Sequence, residues 1–249
     1  MSRFGWMGVG PLVLLVVWYC AHATGLVTPK LLPSPYQTLQ SIIVNVSDGG
    51  LGQDFWATLR RTLQAFLIAT AVGVPVGVMI GSNERVYRAI EFVVDFFRST
   101  PATAMFPLAM IIFGLGDTSK VAIAAFAAQL IILFNVAYGV MGARPTRRLA
   151  AKIMGASTLR VFKDVTFFEC LPQMLVGLRT SVSMALVVIV VAEMFIGSDN
   201  GLGKRVIDSQ ITFDMPQLYG TIFVAGFMGY GLNVVFLGLE KGLVHWSGR

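Results

Sequence analysis

The chain has 249 residues, of which 55% are hydrophobic and only 13% are charged, and its mean hydropathy is +0.73. A soluble domain carries about 25% charged residues, and a soluble fold of this size could not bury so much apolar surface. Composition therefore excludes a soluble protein and indicates an integral membrane protein. With two cysteines and two histidines, the sequence excludes a disulfide framework and a histidine-rich metal site.

Stretches almost free of charge predict where the chain crosses the membrane. Each is close to the roughly 20 residues that a helix needs to span the hydrocarbon core, and isolated strands cannot cross lipid. We therefore predict an all-α integral membrane fold with a single transmembrane domain over residues 1–249. The six predicted helical spans cover about 8–28, 60–82, 100–115, 120–142, 173–197 and 216–241.

The first apolar stretch also has the features of a secretory signal peptide. Arg3 precedes an apolar run, and Ala21-His22-Ala23 resembles a cleavage site. The apolar stretch continues to about Val27, however, which is longer than a usual signal core. We expect it to remain as the first span, with cleavage as the alternative.

Residues 30–61 are predicted to form an external connector between the first two spans. Pro33 and Pro35 favour an extended start. A short helix is then expected from Thr38 to Val46, ending at the turn-forming residues 47–50.

Small residues recur every fourth position in the second span, which places them on one helix face. Such a face lets another helix backbone approach closely. The pattern is compatible with packing inside one subunit, which we favour, or with a dimer surface. The ladder consists of Ala65, Ala69, Gly73, Gly77 and Gly81.

The lysines and arginines indicate the orientation. With the N-terminus inside, 13 of the 19 fall on the cytoplasmic side, which the positive-inside rule favours. Both termini are therefore predicted to be cytoplasmic. The other six are Lys30, Arg60, Arg61, Lys120, Lys204 and Arg205.

The loop 144–171 after the fourth span is the most basic cytoplasmic segment. Pro145 suits a helix start, Gly155 suits a helix end, and Ser157 or Thr158 can cap a second helix. The loop is thus predicted to form two short helices with a bend at Gly155 that carries little side-chain bulk. A partner protein could approach closely there, or the loop could only contact anionic lipid.

Glu193 is the only acid deep in an apolar run. A buried acid in a span usually faces a cavity or a polar partner. It could serve the chemistry of a pore or gate, or lie near the outer surface and bond to the backbone around Ser198–Gly201. The sequence alone leaves both possibilities open.

Several motifs occur in consistent order along the chain. Loop 144–171 carries Ala150-Ala151, three residues, then Gly155-Ala156-Ser157, with Val165 and Leu171-Pro172 later. Together they resemble the permease subunits of bacterial ABC importers, in the branch that handles nitrate, sulfonates, taurine or bicarbonate. Leu149 stands where the family usually has Glu, and Phe168 stands where it usually has Pro. Because of these two departures, the resemblance does not define the exact docking contacts of the loop. Further matching segments are Leu31–Pro35, Phe97–Pro101, Phe113–Lys120, Val191–Met194 and Gly201–Gly203.

The resemblance implies the transmembrane domain of a type I ABC importer in the bacterial inner membrane. Its partners would be a second copy of the permease, two ATPase subunits, an extracytoplasmic binding protein and membrane lipid, with no nucleic acid. The chain itself would be no enzyme and bind no cofactor, because ATP and Mg²⁺ are used by the ATPase. The bend in loop 144–171 would be the coupling helix, with Ala150, Ala151, Gly155, Ala156, Leu159 and Phe162 as the coupling residues.

A route for a small anion needs hydrogen-bond donors along the spans, although each polar residue there could equally bond a neighbouring helix backbone. The substrate expected first is taurine or another sulfonate, then nitrate or bicarbonate, with aromatic acids and thiamine-precursor pyrimidines also open. The alternative function is a facilitator or secondary carrier without an ATPase. That class favours inverted repeats and paired ions within the spans, neither of which is visible in the sequence. The candidate route residues are Arg98, Gln129, Asn135, Ser181, Ser183 and Glu193.

Overall fold

The structure is a computed structural model that describes residues 9–28 and 30–244, and all regular structure in those ranges is helical. The predicted all-α fold is confirmed. The helices are α1 (Val9–Ala23), α2 (Pro35–Ser47), α3 (Gly50–Gly81), α4 (Glu84–Ser99), α5 (Phe106–Phe113), α6 (Asp117–Met141), α7 (Pro145–Ile153), α8 (Thr158–Val161), α9 (Phe167–Phe195), α10 (Leu202–Ile211) and α11 (Met215–Leu243). A 3₁₀ turn at Ala102–Met105 precedes α5, and a π turn at Phe162–Thr166 joins α8 to α9.

Four helical segments are long and apolar enough to cross a membrane: α3, α6, α11 and the continuous run Thr158–Phe195. A fifth is obtained if α4 and the segment Ala102–Phe113, which meet at a bend of 86°, are counted together. Of the first predicted span, the structure describes residues 9–28, and the helix α1 takes up 15 of them. The six crossings therefore stay a prediction.

The second membrane helix begins well before the sequence analysis placed it. Residues 50–61 were predicted to belong to the connector, but they form the first three turns of α3. The charges at Arg60 and Arg61 suggested a boundary. Arg61 is instead buried in ion pairs, so it lies inside the helix without facing lipid.

The described chain divides into two compact units. The first holds the described residues up to Ala57 together with Asp199–Phe227, and the second holds Thr58–Ser198 and the described residues from Met228 onward. The predicted coupling and route residues all lie in the second unit.

In the first unit, aromatic stacking and one ion pair fix the helices. The Trp18 ring stacks on Phe223 with a centroid distance of 5.3 Å. Asp54 accepts hydrogen bonds from the Arg205 Nε at 2.6 Å and from the Gly201 amide at 2.7 Å. Arg205 also donates to the Asn45 side chain at 2.8 Å, so α2, the start of α3 and α10 are joined.

The predicted connector helix is confirmed as α2, which begins three residues earlier than expected. The Ser34 hydroxyl accepts from the Gln37 amide, and the Gln37 side chain accepts from the Ser34 amide at 2.9 Å. This capping box satisfies two backbone donors at the helix start. Pro35 at the first helical position has the backbone geometry that a helix start needs.

In the second unit, the small-residue face of α3 packs directly on α6. A methyl group added at Gly77 would lie 2.8 Å from the Leu133 carbonyl oxygen, and one at Gly81 would lie 2.6 Å from that of Ala137. These distances are shorter than van der Waals contact, so only glycine fits. Ala65 and Ala69 on the same face are fully buried. Packing within one subunit, the interpretation favoured from sequence, is therefore confirmed.

Candidate functional site

The segment Pro145–Val161 forms a sharp elbow between α6 and α9. Helix α7 ends in a Schellman motif, in which the Ala156 amide donates to the Ala151 carbonyl and the Gly155 amide to the Lys152 carbonyl, both at 3.0 Å. Gly155 has a φ of +80°, in the left-handed region that favours glycine. The Ser157 side chain then caps α8. The predicted helix start, bend and cap are confirmed.

The second half of the elbow differs from the prediction. It is not a separate short helix, because α8 continues through the π turn into α9 as one 38-residue run. The π turn adds a residue to the helix without breaking it, and Pro172, expected to mark the end of the loop, lies inside α9. The elbow is thus continuous with a helix that is long and apolar enough to cross the membrane.

Glu169 anchors the elbow to the start of α9. Its carboxylate accepts the Arg144 amide at 2.6 Å and the Arg147 guanidinium at 2.7 Å. Arg148 donates to the Val140 carbonyl near the end of α6. These bonds fix the direction of α7 relative to the two membrane helices that it connects.

The coupling residues predicted from the family resemblance lie together at the elbow. Ala150, Gly155 and Leu159 are exposed, and nothing lies within 4 Å of a methyl group added at Gly155. Ala151, Ala156 and Phe162 are half-buried. The bend therefore has the little side-chain bulk that the sequence predicted.

An apolar surface surrounds this bend, and the sequence analysis missed most of it. The side chains of Met154 and Leu159 are 86% and 77% exposed, and those of Leu149 and Ile153 are exposed as well. We call these four residues the elbow patch. Their signal in the sequence was four large apolar residues within a strongly basic loop. In isolation the chain leaves this patch uncovered.

At the far end of α9, a group of charges joins three membrane helices. Arg61, Lys120 and Glu193 are buried, and the Asp117 side chain is 39% exposed. The Arg61 guanidinium of α3 contacts the Glu193 carboxylate of α9 at 2.7 Å and the Asp117 carboxylate of α6 at 2.9 Å. Thr58 donates to both Glu193 oxygens, at 3.0 and 2.9 Å. Lys120 contacts Asp117 at 3.3 Å and donates to the Ser198 hydroxyl at 2.9 Å. We call Arg61, Asp117, Lys120 and Glu193 the charge cluster.

This arrangement gives Glu193 a structural partner that neither interpretation of the sequence included. Its side chain is fully buried and is held by Arg61 and Thr58, both on α3. A buried acid is tolerated in a membrane helix when it is paired. A role for Glu193 in the route remains a prediction.

The other route candidates lie in separate environments. Asn135 accepts from the Gln173 amide at 2.8 Å, and Arg98 lies 4.7 Å from the Phe134 ring centroid. Ser181 is buried and donates to the Leu178 carbonyl at 2.8 Å. Ser183 donates to the Arg179 carbonyl at 3.5 Å. The two serines thus bond to their own helix backbone.

Gln129 is the route candidate that lines the large cavity between α3 and α6. This cavity has a volume of about 680 Å³, and its walls are mainly apolar. Gln64, Thr118 and Asp117 supply the other polar groups. Sequence analysis missed Gln64 and Thr118 because a single polar residue on an exposed helix face carries no distinguishing pattern.

Comparison with known proteins identifies the family. Residues 73–246 match the family described as "Binding-protein-dependent transport system inner membrane component". The chain is 30% identical over 93% of its length to a probable ABC transporter permease protein of Brucella abortus (strain 2308), of which 91% is covered. It is 29% identical to the taurine transport system permease protein TauC of Escherichia coli (strain K12), with 100% of this chain and 92% of TauC aligned.

The fold is likewise shared with a solved transporter. The membrane subunit in the inward-facing MetNI methionine ABC transporter superposes with a TM-score of 0.69 at 19% identity, over 79% of this chain and 97% of that one. This confirms the predicted type I ABC importer fold. The family match covers more than half of the chain. The protein therefore belongs to the binding-protein-dependent transport system inner membrane components, as the permease subunit of an ABC transporter whose ATP hydrolysis occurs on separate ATPase subunits.

Proposed function

We propose that this permease subunit forms the translocation route for a small organic anion, taurine or another sulfonate, in an ATP-driven importer. The main observation that supports this transport mechanism is the uncovered elbow. It is a bend of small residues surrounded by exposed apolar side chains. The similarity to TauC over the whole chain supports the substrate class. Nitrate and bicarbonate are the next candidates.

The elbow serves in this proposal as the docking surface for the ATPase. Large exposed apolar residues on a basic, otherwise polar segment are typical of a protein interface. The absence of side-chain bulk at Gly155 lets a partner backbone approach the bend. ATP and Mg²⁺, bound by the ATPase, would close that subunit and move the elbow. The chain would then shift between inward-facing and outward-facing populations.

The proposed assembly contains two copies of this permease, two ATPase subunits and an extracytoplasmic binding protein in the inner membrane, with lipid around the spans. Both termini lie in the cytoplasm, in line with the positive-inside count. The homodimer is favoured because all the family motifs are present in this one chain.

Within this proposal the route runs past donors that an anion can use. Gln129, together with Gln64 and Thr118, faces the cavity and can donate hydrogen bonds. Arg98 supplies an exposed positive charge. Asn135, Ser181, Ser183 and Glu193 bond within the protein in this conformation, so a contact with substrate requires them to change partners.

Reconstitution tests the proposal. The permease, its ATPase and its binding protein are placed in proteoliposomes, and uptake and ATP hydrolysis are measured with taurine, nitrate or bicarbonate. We expect uptake that requires ATP and the binding protein, is greatest for taurine, and occurs in a complex with two copies of this chain. Uptake without ATP would favour the facilitator, and a complex with one copy beside a different permease would contradict the homodimer.

A further inference from the structure

Three positively charged side chains converge on the carboxylate of Asp117 at the start of α6. The Asp117 Oδ1 atom lies 2.9 Å from the Arg61 Nε and 3.3 Å from the Lys120 Nζ. The Oδ2 atom lies 3.2 Å from a guanidinium nitrogen of Arg60. Two of the three cations are planar guanidinium groups, whose donors match the geometry of carboxylate and similar oxyanions. The arrangement is therefore suited to a small oxyanion other than the carboxylate that it now holds.

The charges of these side chains do not cancel. The three cations face two carboxylates, those of Asp117 and Glu193. Arg61 pairs with both carboxylates, so its charge is shared between them. Among these five side chains one positive charge is left over, and a further anion would balance it.

The exposure of the side chains shows from which side such an anion would arrive. Arg61 and Lys120 are buried, whereas the Asp117 side chain is 39% exposed and that of Arg60 is 56% exposed. Asp117 therefore covers the two buried cations, and Arg60 stands at the open side. A side chain this exposed can turn to another rotamer. An oxyanion paired with Arg60 could then occupy the position of the Asp117 carboxylate.

The exposed side of Asp117 forms part of the wall of the large cavity between α3 and α6. Thr118 and Gln64 line the cavity with it, and Gln64 lies one turn of α3 after Arg60, on the same helix face. The volume of about 680 Å³ falls within the range of about 300–1,000 Å³ that is usual for small-molecule sites. The charged end of the cavity thus combines cations with amide and hydroxyl donors, which can also bond an oxyanion.

We propose that the three cations around Asp117 form a binding site for a small oxyanion, and that the Asp117 carboxylate occupies this site in the present conformation. An arriving anion replaces the carboxylate and is bound by Arg60, Arg61 and Lys120. This inference rests on the proposed function for its ligand class, and it places the recognition of a sulfonate, nitrate or bicarbonate group at one end of the cavity. Anion binding is measured without transport, so the two proposals can fail separately.

Chemical rescue of Asp117→Ala tests whether an anion can take the place of the carboxylate. The variant is purified in the assembled complex in a maltoside detergent. Thermal unfolding of the permease is followed with methanesulfonate, nitrate or acetate, and chloride at the same ionic strength is the reference. At ten times its Kd, a bound oxyanion should raise the midpoint of unfolding by about 3–6 °C. The wild-type protein should shift less, because the anion must first displace Asp117.

Glu240→Ala is the matched control. The Glu240 carboxylate also pairs with an arginine of the second unit, Arg179 at 3.3 Å, but it is not among the residues that line the cavity. We expect no oxyanion shift in this variant beyond that seen with chloride. The double variant Asp117→Ala/Arg60→Met removes the exposed cation and should weaken the affinity for the anion about threefold.

The absence of an oxyanion shift in Asp117→Ala would overturn the proposal, and so would an equal shift in Glu240→Ala or in the wild-type protein. Phosphatidylglycerol is tested separately, because the phosphate of a lipid headgroup has the same chemistry. A shift of Asp117→Ala with this lipid and none with the small anions would also overturn the site. If Asp117→Ala does not fold, Asp117→Ser keeps a small polar side chain at the start of α6 and allows the same comparison.

Discussion

The two ends of the Thr158–Phe195 helical run differ in the burial and pairing of their side chains. At the elbow, large apolar side chains are exposed beside Gly155, where an added methyl group would have nothing within 4 Å. At the other end, Glu193 and Arg61 are buried and pair with each other. The elbow presents surface that a partner could cover, whereas the charge cluster is satisfied within the chain.

From this difference we infer that the two ends have different roles. Because α8, the π turn and α9 are continuous, the elbow and Glu193 are separated by about 52 Å of unbroken helix. The charge cluster joins the far end of that helix to α3 and α6. A movement imposed at the elbow would therefore displace three membrane helices together. The four predictions below test this contrast, from the largest expected effect to the smallest.

The largest effect is expected from Gly155→Trp at the elbow. A bulky side chain would fill the space that we assign to the ATPase, so uptake should fall to background and ATP hydrolysis should become uncoupled. Insertion should be unaffected, because the site lies outside the membrane helices. Uptake and hydrolysis are measured in proteoliposomes, and the amount of inserted protein in membranes.

The φ of +80° at Gly155 requires a control for backbone strain. Gly155→Asn must adopt the same backbone conformation as Gly155→Trp, but asparagine tolerates the left-handed region. We expect it to retain most of the uptake. Normal uptake by Gly155→Trp would refute the assignment of the elbow.

At the charge cluster, Arg61→Met should destabilise the protein by about 3–5 kcal/mol, because it leaves buried Glu193 without its cationic partner. The double variant Arg61→Met/Glu193→Gln removes both charges of the pair and should recover part of that loss. Unfolding of the purified complex in detergent measures both. Strictly additive effects would contradict a coupled pair.

The α3–α6 contact predicts that the same glycine-to-alanine change destabilises the protein at one position and not at another. Gly77→Ala places a methyl group 2.8 Å from the Leu133 carbonyl oxygen and should cost about 1–3 kcal/mol through overpacking. Gly238→Ala in α11 has nothing within 4 Å and should be neutral or stabilising by up to about 1 kcal/mol. Thermal unfolding in detergent compares them, and equal shifts would contradict the close packing.

The smallest effect is expected at Arg60, the neighbour of Arg61. Both arginines pair with Asp117, but the Arg60 side chain is 56% exposed and that of Arg61 only 3%. Exposed ion pairs contribute little, so Arg60→Met should change stability by no more than about 0.5 kcal/mol. A loss as large as that of Arg61→Met would show that burial does not distinguish the two positions.

The elbow was predictable from sequence, and the charge cluster was not. Pro145, Gly155 and Ser157 act through neighbours within a few positions, so their residue types are sufficient to place helix ends. Arg61 contacts a carboxylate 132 positions away, and before folding its charge resembles the boundary of a span. The same limit concealed the bend of 86° after α4, because apolar composition alone does not define a helix direction.

Cross-linking in the assembled complex tests the role of the elbow most directly. Met154→Cys is paired with single cysteines in the ATPase, and Ile111→Cys of α5, which is similarly exposed, is the matched control in the same Cys20→Ser, Cys170→Ala background. A short thiol cross-linker should join position 154 to the ATPase and leave position 111 unlinked. Failure of position 154 to cross-link in an intact complex, or cross-linking at position 111 alone, would contradict the account.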